Sequence, residues 1–257
     1  MAEGGAVDPM HQFEVQPIFG TLGEGSFAFT NSTLWMLIAL AALWIFMLGG
    51  MRRELVPGRW QLAVEGITGF VDNMISTTIG PEGKKYVPYI FTIFMFILFA
   101  NLLGLVPIGI VGGHPFTVTS HFVITGMMAI MSFSIVLIVG FWRHKLKFFT
   151  LFIPHGTPAP MIPLIFFIEL FSFLVRPFSL ALRLFIAMTA GHILLKLFGS
   201  FVIDGINAGW TYGLIVAVPS FALMLFVSAL EILVCAIQAY VFALLSTLYI
   251  NDAVNLH

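Results

Sequence analysis

Residues 161–201 read MIPLIFFIELFSFLVRPFSLALRLFIAMTAGHILLKLFGSF, and residues 210–250 read WTYGLIVAVPSFALMLFVSALEILVCAIQAYVFALLSTLYI. Asp204–Gly205–Ile206–Asn207, between them, reads as the turn. At 1.5 Å per residue a run of roughly 40 residues makes a helix about 60 Å long, twice the roughly 30 Å hydrocarbon thickness of a bilayer. Each run is therefore two short spans, a re-entrant hairpin or one strongly tilted helix. No charged cluster interrupts either one, and the reading adopted is two long tilted helices forming a hairpin. Pro177 and Pro219 bend them, which neighbouring helices tolerate.

The rest of the chain agrees with a membrane solvent. Of 257 residues, 60% are hydrophobic and 9% are charged, and the mean hydropathy is +1.04. A soluble domain carries about 25% charge, so this composition excludes a cytosolic globular enzyme and equally excludes disorder. With 11 basic and 12 acidic residues there is no basic field for nucleic acid. The single cysteine, Cys235, excludes a disulfide frame and a thiolate zinc cluster.

Three further spans are expected, at about 33–51, 86–110 and 117–142. About thirty residues without Lys or Arg precede the first, so it does not read as a cleavable signal peptide. Arg52, Arg53 and Arg59 follow it, Lys84 and Lys85 precede the second, and Arg143, His144, Lys145 and Lys147 end the third. By the positive-inside rule all three clusters are cytoplasmic, and residues 1–32 form an extracytoplasmic segment. Gly113–His114–Pro115 is the outer turn and His155 to Pro160 a Pro-rich inner one. Over about 60–79, Glu65, Thr68, Asp72 and Ser76 fall on one helical face and Ile67, Phe70, Val71 and Met74 on the other. That is an amphipathic helix, lying at the interface or packed along other helices. The fold class is thus an all-α polytopic membrane protein: about five membrane-embedded helices plus one amphipathic helix, in one membrane domain over 33–257.

The chemistry lies in the charges inside these apolar runs, each costing at least about 2.5–3.5 kcal/mol to insert. Glu169, Ser172, Arg176, Ser179 and Arg183 form one polar stripe. His192, nine residues beyond Arg183, points about 180° away on an ideal helix and lies about 13 Å further along the axis, while Glu169 lies about 21 Å back. On the last helix Ser228, Glu231, Cys235, Gln238 and Phe242 share a face, which lets Glu231 approach the outer half of the preceding helix. Asp252 belongs at the cytoplasmic end. An arginine cannot lose its proton in a protein. Set between titratable groups on either side, Arg183 breaks a continuous proton wire and attracts a carboxylate. That suits two half-channels meeting only through a moving carboxylate, which a partner must supply, since this chain has no mobile carrier of its own.

Each residue also has a plainer reading. Arg176 and Arg183 can form structural ion pairs, Glu231 and Gln238 can make interhelical hydrogen bonds, and His192 can be a buried, satisfied histidine. Asn101 can bond a neighbouring helix, and Lys196 can snorkel. His114, His121, His144 and His155 read as loop or interface residues, and no spacing supports a metal site. There is no phosphate-binding GxxxxGK[ST] loop, no HExxH and no GxSxG.

The stretch SLALRLFIAMTAGH, Ser179 to His192, resembles the signature of the subunit a family of F-type ATP synthases. NLLGLVP at 101–107, ELF…RP at 169–177 and the pair Glu231 and Gln238 resemble that family too, and the likeness covers roughly 30–255. The resemblance implies a non-catalytic proton-channel stator in which Arg183 is the essential arginine facing the carboxylates of a ring of c subunits. It implies an outer half-channel with His192, Glu231, Asn101 and Gln238, and an inner one with Glu169, Asp252, Arg176 and Ser179. It also implies b-type peripheral stalk partners and the rest of the synthase, membrane lipid, no nucleic acid, no cofactor and no metal. The implied location is a bacterial inner membrane, or alternatively the mitochondrial inner membrane. One position departs: the family often has Asn where this chain has Ala187, and a water or Thr189 can substitute. H⁺ is preferred over Na⁺, because a histidine relays protons near neutral pH. Two rivals use the same residues: a self-contained transporter or channel, and a non-conducting scaffold.

Overall fold

A computed structural model describes residues 17–19, 29–51, 57–106, 117–153 and 158–255. The expected features at Arg52, Arg53, Pro107, Gly113–His114–Pro115 and His155, and most of 1–32, lie outside these residues. A short antiparallel pair, β1 (Pro17–Phe19) and β2 (Phe29–Thr30), leads into α1 (Asn31–Gly50). Then follow α2 (Arg59–Thr78), α3 (Val87–Gly104), α4 (Phe122–His144), α5 (Ile162–Asn207) and α6 (Trp210–Val254). Five of the helices are long and apolar enough to cross a membrane: α1, α3 with the 3₁₀ turn before it, α4, α5 and α6. The chain is an all-α polytopic membrane protein.

α5 and α6 are continuous helices of 46 and 45 residues, and they pack against each other as an antiparallel hairpin. Each is about 68 Å long at 1.5 Å per residue, more than twice the roughly 30 Å apolar layer, so neither crosses upright along its whole length. Both run through their internal prolines, Pro177 and Pro219. The turn is not at Asp204–Asn207, as expected from composition. Those residues complete α5, and the chain reverses at Ala208 and Gly209. Gly205 closes onto α6, where a Cβ would meet the Ala217 backbone nitrogen at 3.0 Å, so this glycine serves packing and not a helix stop. Gly209, at φ +99°, takes the left-handed conformation that reverses the chain.

α3 and α4 lie against α6, α4 also against α5, and α1 joins from the outside through α3. Their shared core includes Ile90, Met95 and Ile97 of α3, Val136 of α4, Leu184 and Met188 of α5, and Phe242 and Ile250 of α6. α2 follows the packed alternative for the amphipathic segment. Val64, Val71, Met74 and Ile75 are buried while Glu65, Thr68 and Ser76 stay exposed, and α2 touches α1, α3 and α6. Phe70, on its expected apolar face, remains half exposed at 48% and meets Phe94 and Tyr240 at its edge. Among the described residues the second span runs Pro81–Gly104 and the third Phe122–His144. α3 stops at Gly104, whose missing side chain leaves room for Thr117. Residues 118–120 form a 3₁₀ turn before α4 begins at Phe122.

Arg143 of α4 pairs with Glu82 before α3 at 2.5 Å, and His144 Nε2 donates to the Val254 carbonyl at the end of α6 at 3.0 Å. The basic ends before α3 and after α4 therefore gather with the C-terminal end of α6, at one pole of the bundle. The α5–α6 turn lies at the other.

Candidate functional site

Two polar sites occupy the α5–α6 hairpin, separated by about 24 Å along α5 from Arg176 to His192. The first lies near the basic pole. Arg176 donates from Nη1 to Asp252 Oδ2 at 3.0 Å, and its guanidinium stands over the rings of Phe173 at 5.7 Å and Tyr249 at 5.3 Å. Glu169, about two turns earlier on α5, lines with Arg176 and Asp252 a small cavity of about 50 Å³, walled by Leu151, Phe152 and Phe173. The wall comes from the 3₁₀ segment Lys145–Phe152. It folds Phe148 and Phe152 back onto Phe173 at ring separations of 6.2 and 5.4 Å. Lys145, at φ 49°, makes that reversal.

The second site lies toward the α5–α6 turn and is buried. His192 Nε2 of α5 and Glu231 Oε1 of α6 are 3.7 Å apart, with side chains 10% and 3% exposed. Gly191 makes this approach possible: a Cβ there would stand 2.6 Å from Glu231 Oε1 and 2.8 Å from its Cδ. The residues before α4 close the site. Thr117 Oγ1 is hydrogen-bonded to His192 Nε2, and Thr119 Oγ1 donates to Asn101 Oδ1 at 2.6 Å. Neither oxygen of Glu231, nor Asn101 Nδ2, nor Thr189 Oγ1 has a hydrogen-bond partner among the described residues. Such groups are few in native proteins and each calls for an explanation.

Arg183 stands between the two sites on α5, exposed and with no hydrogen bond or ion pair among the described residues. Ser172, Ser179, Ile186, Ala190 and Leu194 share its exposed face, while Leu184, Met188 and His192 face the core. The opposition of Arg183 and His192 is the one their nine-residue spacing predicts.

The structure thus brings His192 to Glu231, Arg176 to Asp252 and Glu169 beside that pair, and it places Asn101 next to the first of these through residues 117–119. It does not bring Gln238 to Glu231. Gln238 is half-buried, two turns and about 10 Å along α6. Ser179 does not join Asp252 either; it is exposed on the Arg183 face. Ala187 is packed half-buried against the core. Sequence reading missed Thr117, Thr119, Gly191 and the Phe148–Phe152 wall. The available signal was three hydroxyls in Thr117–Val118–Thr119–Ser120 at the mouth of an otherwise apolar span.

Comparison with known proteins shows the family to which the chain belongs. The family model described as ATP synthase A chain matches residues 33–251. The ATP synthase subunit a of Rhizorhabdus wittichii is 65% identical, over 100% of this chain and 99% of its own length. That of Sphingopyxis alaskensis is 65% identical with the same coverage, and that of Bradyrhizobium diazoefficiens is 45% identical over 97% and 98%. The chain belongs to the ATP synthase A chain family, the proton-channel stator subunit of the F-type ATP synthase membrane sector.

Proposed function

We propose that protons pass through this chain by two offset half-channels that meet only at a carboxylate carried on a rotating ring of c subunits. The observation that carries the reading is the placement of Arg183: a permanent cation on an uncovered helix face, between two polar sites on the same hairpin. Its neighbours on that face include the small side chains Ser179 and Ala190, which let another helix approach closely. An unpaired guanidinium within the membrane is costly, and a carboxylate from a partner removes that cost.

The outer half-channel runs past Asn101, His192 and Glu231, with Gln238 as a more distant polar neighbour. A proton arriving there neutralises a rotor carboxylate, and the neutral site can then turn into lipid. The inner half-channel receives it at Glu169, Asp252 and Arg176, with Ser179 at its edge on the Arg183 face. Arg183 repels a proton that would pass directly between the two. Each charge crossing 100 mV gains about 2.3 kcal/mol, which drives the ring. The ion is H⁺, since His192 relays protons and is a poor Na⁺ ligand. The chain sits in a bacterial inner membrane with the basic pole in the cytoplasm, held against the ring by b-type stalk subunits.

The test is ATP-driven acidification and passive leak in inverted membrane vesicles carrying Arg183→Ala in an assembled complex. Lost pumping is expected, with or without raised leak. Pumping equal to wild type overturns the reading.

A further inference from the structure

The hydrogen bond between Thr117 and His192 is not accounted for by the half-channel reading. His192 Nε2 has room for a single strong partner, and in this structure that partner is Thr117 Oγ1. Glu231 Oε1, at 3.7 Å from the same nitrogen, is beyond hydrogen-bond distance. The hydroxyl therefore sets where the imidazole edge points. It is itself held from three directions. Thr117 is 3% exposed, and Gly104 lies so close beneath it that any side chain there would collide. The backbone is pinned by Ser120, which donates to the Thr117 carbonyl from its hydroxyl at 2.6 Å and from its amide at 3.1 Å. Two residues on, Thr119 ties the same turn to Asn101 of α3.

A hydroxyl is also the right chemistry for this position. It donates to a bare imidazole nitrogen and accepts from a protonated one, so it holds the ring in either state. A backbone carbonyl or amide serves only one of them. A histidine that gains and loses a proton each cycle needs a partner that does not let go in one of its two forms.

We infer that Thr117 is a positioning residue for proton entry, its hydroxyl fixing the His192 imidazole with Nε2 3.7 Å from the Glu231 carboxylate. The inference rests on the half-channel reading above and extends it to a residue on a third element, the turn before α4.

Three substitutions separate the hydroxyl from the packing, each in the assembled complex in inverted vesicles. Thr117→Ser keeps the hydroxyl and loses the methyl group. Thr117→Val keeps the shape and loses the hydroxyl. Thr117→Ala loses both. Complex content is checked by the ATP hydrolysis of the soluble sector. The expected order of ATP-driven pumping is wild type and Thr117→Ser together, with Thr117→Val and Thr117→Ala about three- to tenfold lower, the worth of one buried hydrogen bond. Thr117→Val at the wild-type rate, or Thr117→Ser falling as far as Thr117→Val, overturns the inference and makes Thr117 a packing residue. Either result leaves the half-channel reading standing. Arg183→Ala in the same preparation reports on that reading separately, since unchanged pumping there removes the half-channels and the role of Thr117 with them.

Discussion

The two polar sites of the hairpin solve opposite problems. At the basic pole, Arg176 and Asp252 satisfy each other at 3.0 Å with side chains 30% and 34% exposed, and two aromatic rings support the guanidinium. Toward the α5–α6 turn, Glu231 is 3% exposed and both its oxygens lack a hydrogen-bond partner among the described residues. The first site is closed by its own charges. The second is held open by geometry, with Gly191 leaving room on one side and Thr117 fixing the histidine on the other. A closed site tolerates local change because either partner can reorient in a partly exposed setting. An open site depends on where each atom is held.

The comparison is tested most severely at Gly191. Gly191→Ala puts a Cβ 2.6 Å from Glu231 Oε1. That oxygen is the end of a flexible side chain, so the helices keep their spacing and the carboxylate swings aside. A displacement of about 1 Å costs up to about 100-fold in a positioned reaction. Gly191→Ala is expected to assemble normally and to lower ATP-driven pumping at least about tenfold. Wild-type pumping would mean that the position of Glu231 does not matter, and the contrast between the two sites would collapse.

How much of this was legible beforehand follows from which interactions are local. The spans were legible because an apolar run long enough to cross a bilayer is a property of consecutive residues. Arg183 stood out because an uncancelled charge in such a run is costly. The opposition of Arg183 and His192 followed from helix periodicity alone. The turn was misplaced because Gly205 looks like a breaker, while its actual role is set by Ala217 across the hairpin. Arg176 and Asp252 were each suspected, but they are 76 residues apart, and no spacing rule pairs them. Thr117 was invisible because a hydroxyl at the start of a span looks like an ordinary helix-end residue. Its meaning appears only when α5 brings His192 to it.

The closed site gives a second, smaller test. Asp252→Asn removes the charge on one side and leaves Arg176 resting on Phe173 and Tyr249. For a partly exposed pair the coupling measured by a double-mutant cycle with Arg176→Gln is expected to be at most about 1 kcal/mol in thermal stability. The expected loss of pumping in Asp252→Asn is about two- to fivefold, smaller than in Gly191→Ala because Arg176 keeps its contacts with Phe173 and Tyr249 in a partly exposed setting. A loss equal to that of Gly191→Ala would show that the inner site is also governed by position, and the distinction between a closed and an open site would have to be dropped.

The smallest effect belongs to the ion pair that lies outside both sites. Glu82 and Arg143 approach to 2.5 Å, but their side chains are 54% and 40% exposed. Water competes for both, and salt screens what remains. Glu82→Gln is expected to leave pumping within about twofold of wild type, and any small deficit in melting temperature at low ionic strength should vanish at high ionic strength. The pair links the start of α3 to the end of α4, and His144 makes a second tie nearby, from α4 to the Val254 carbonyl of α6. Losing the first leaves α4 still attached. A large loss in Glu82→Gln would therefore mean that the basic pole acts on the Arg176–Asp252 site through α4 and the Phe148–Phe152 wall, so that the closed site is shaped from outside its own charges.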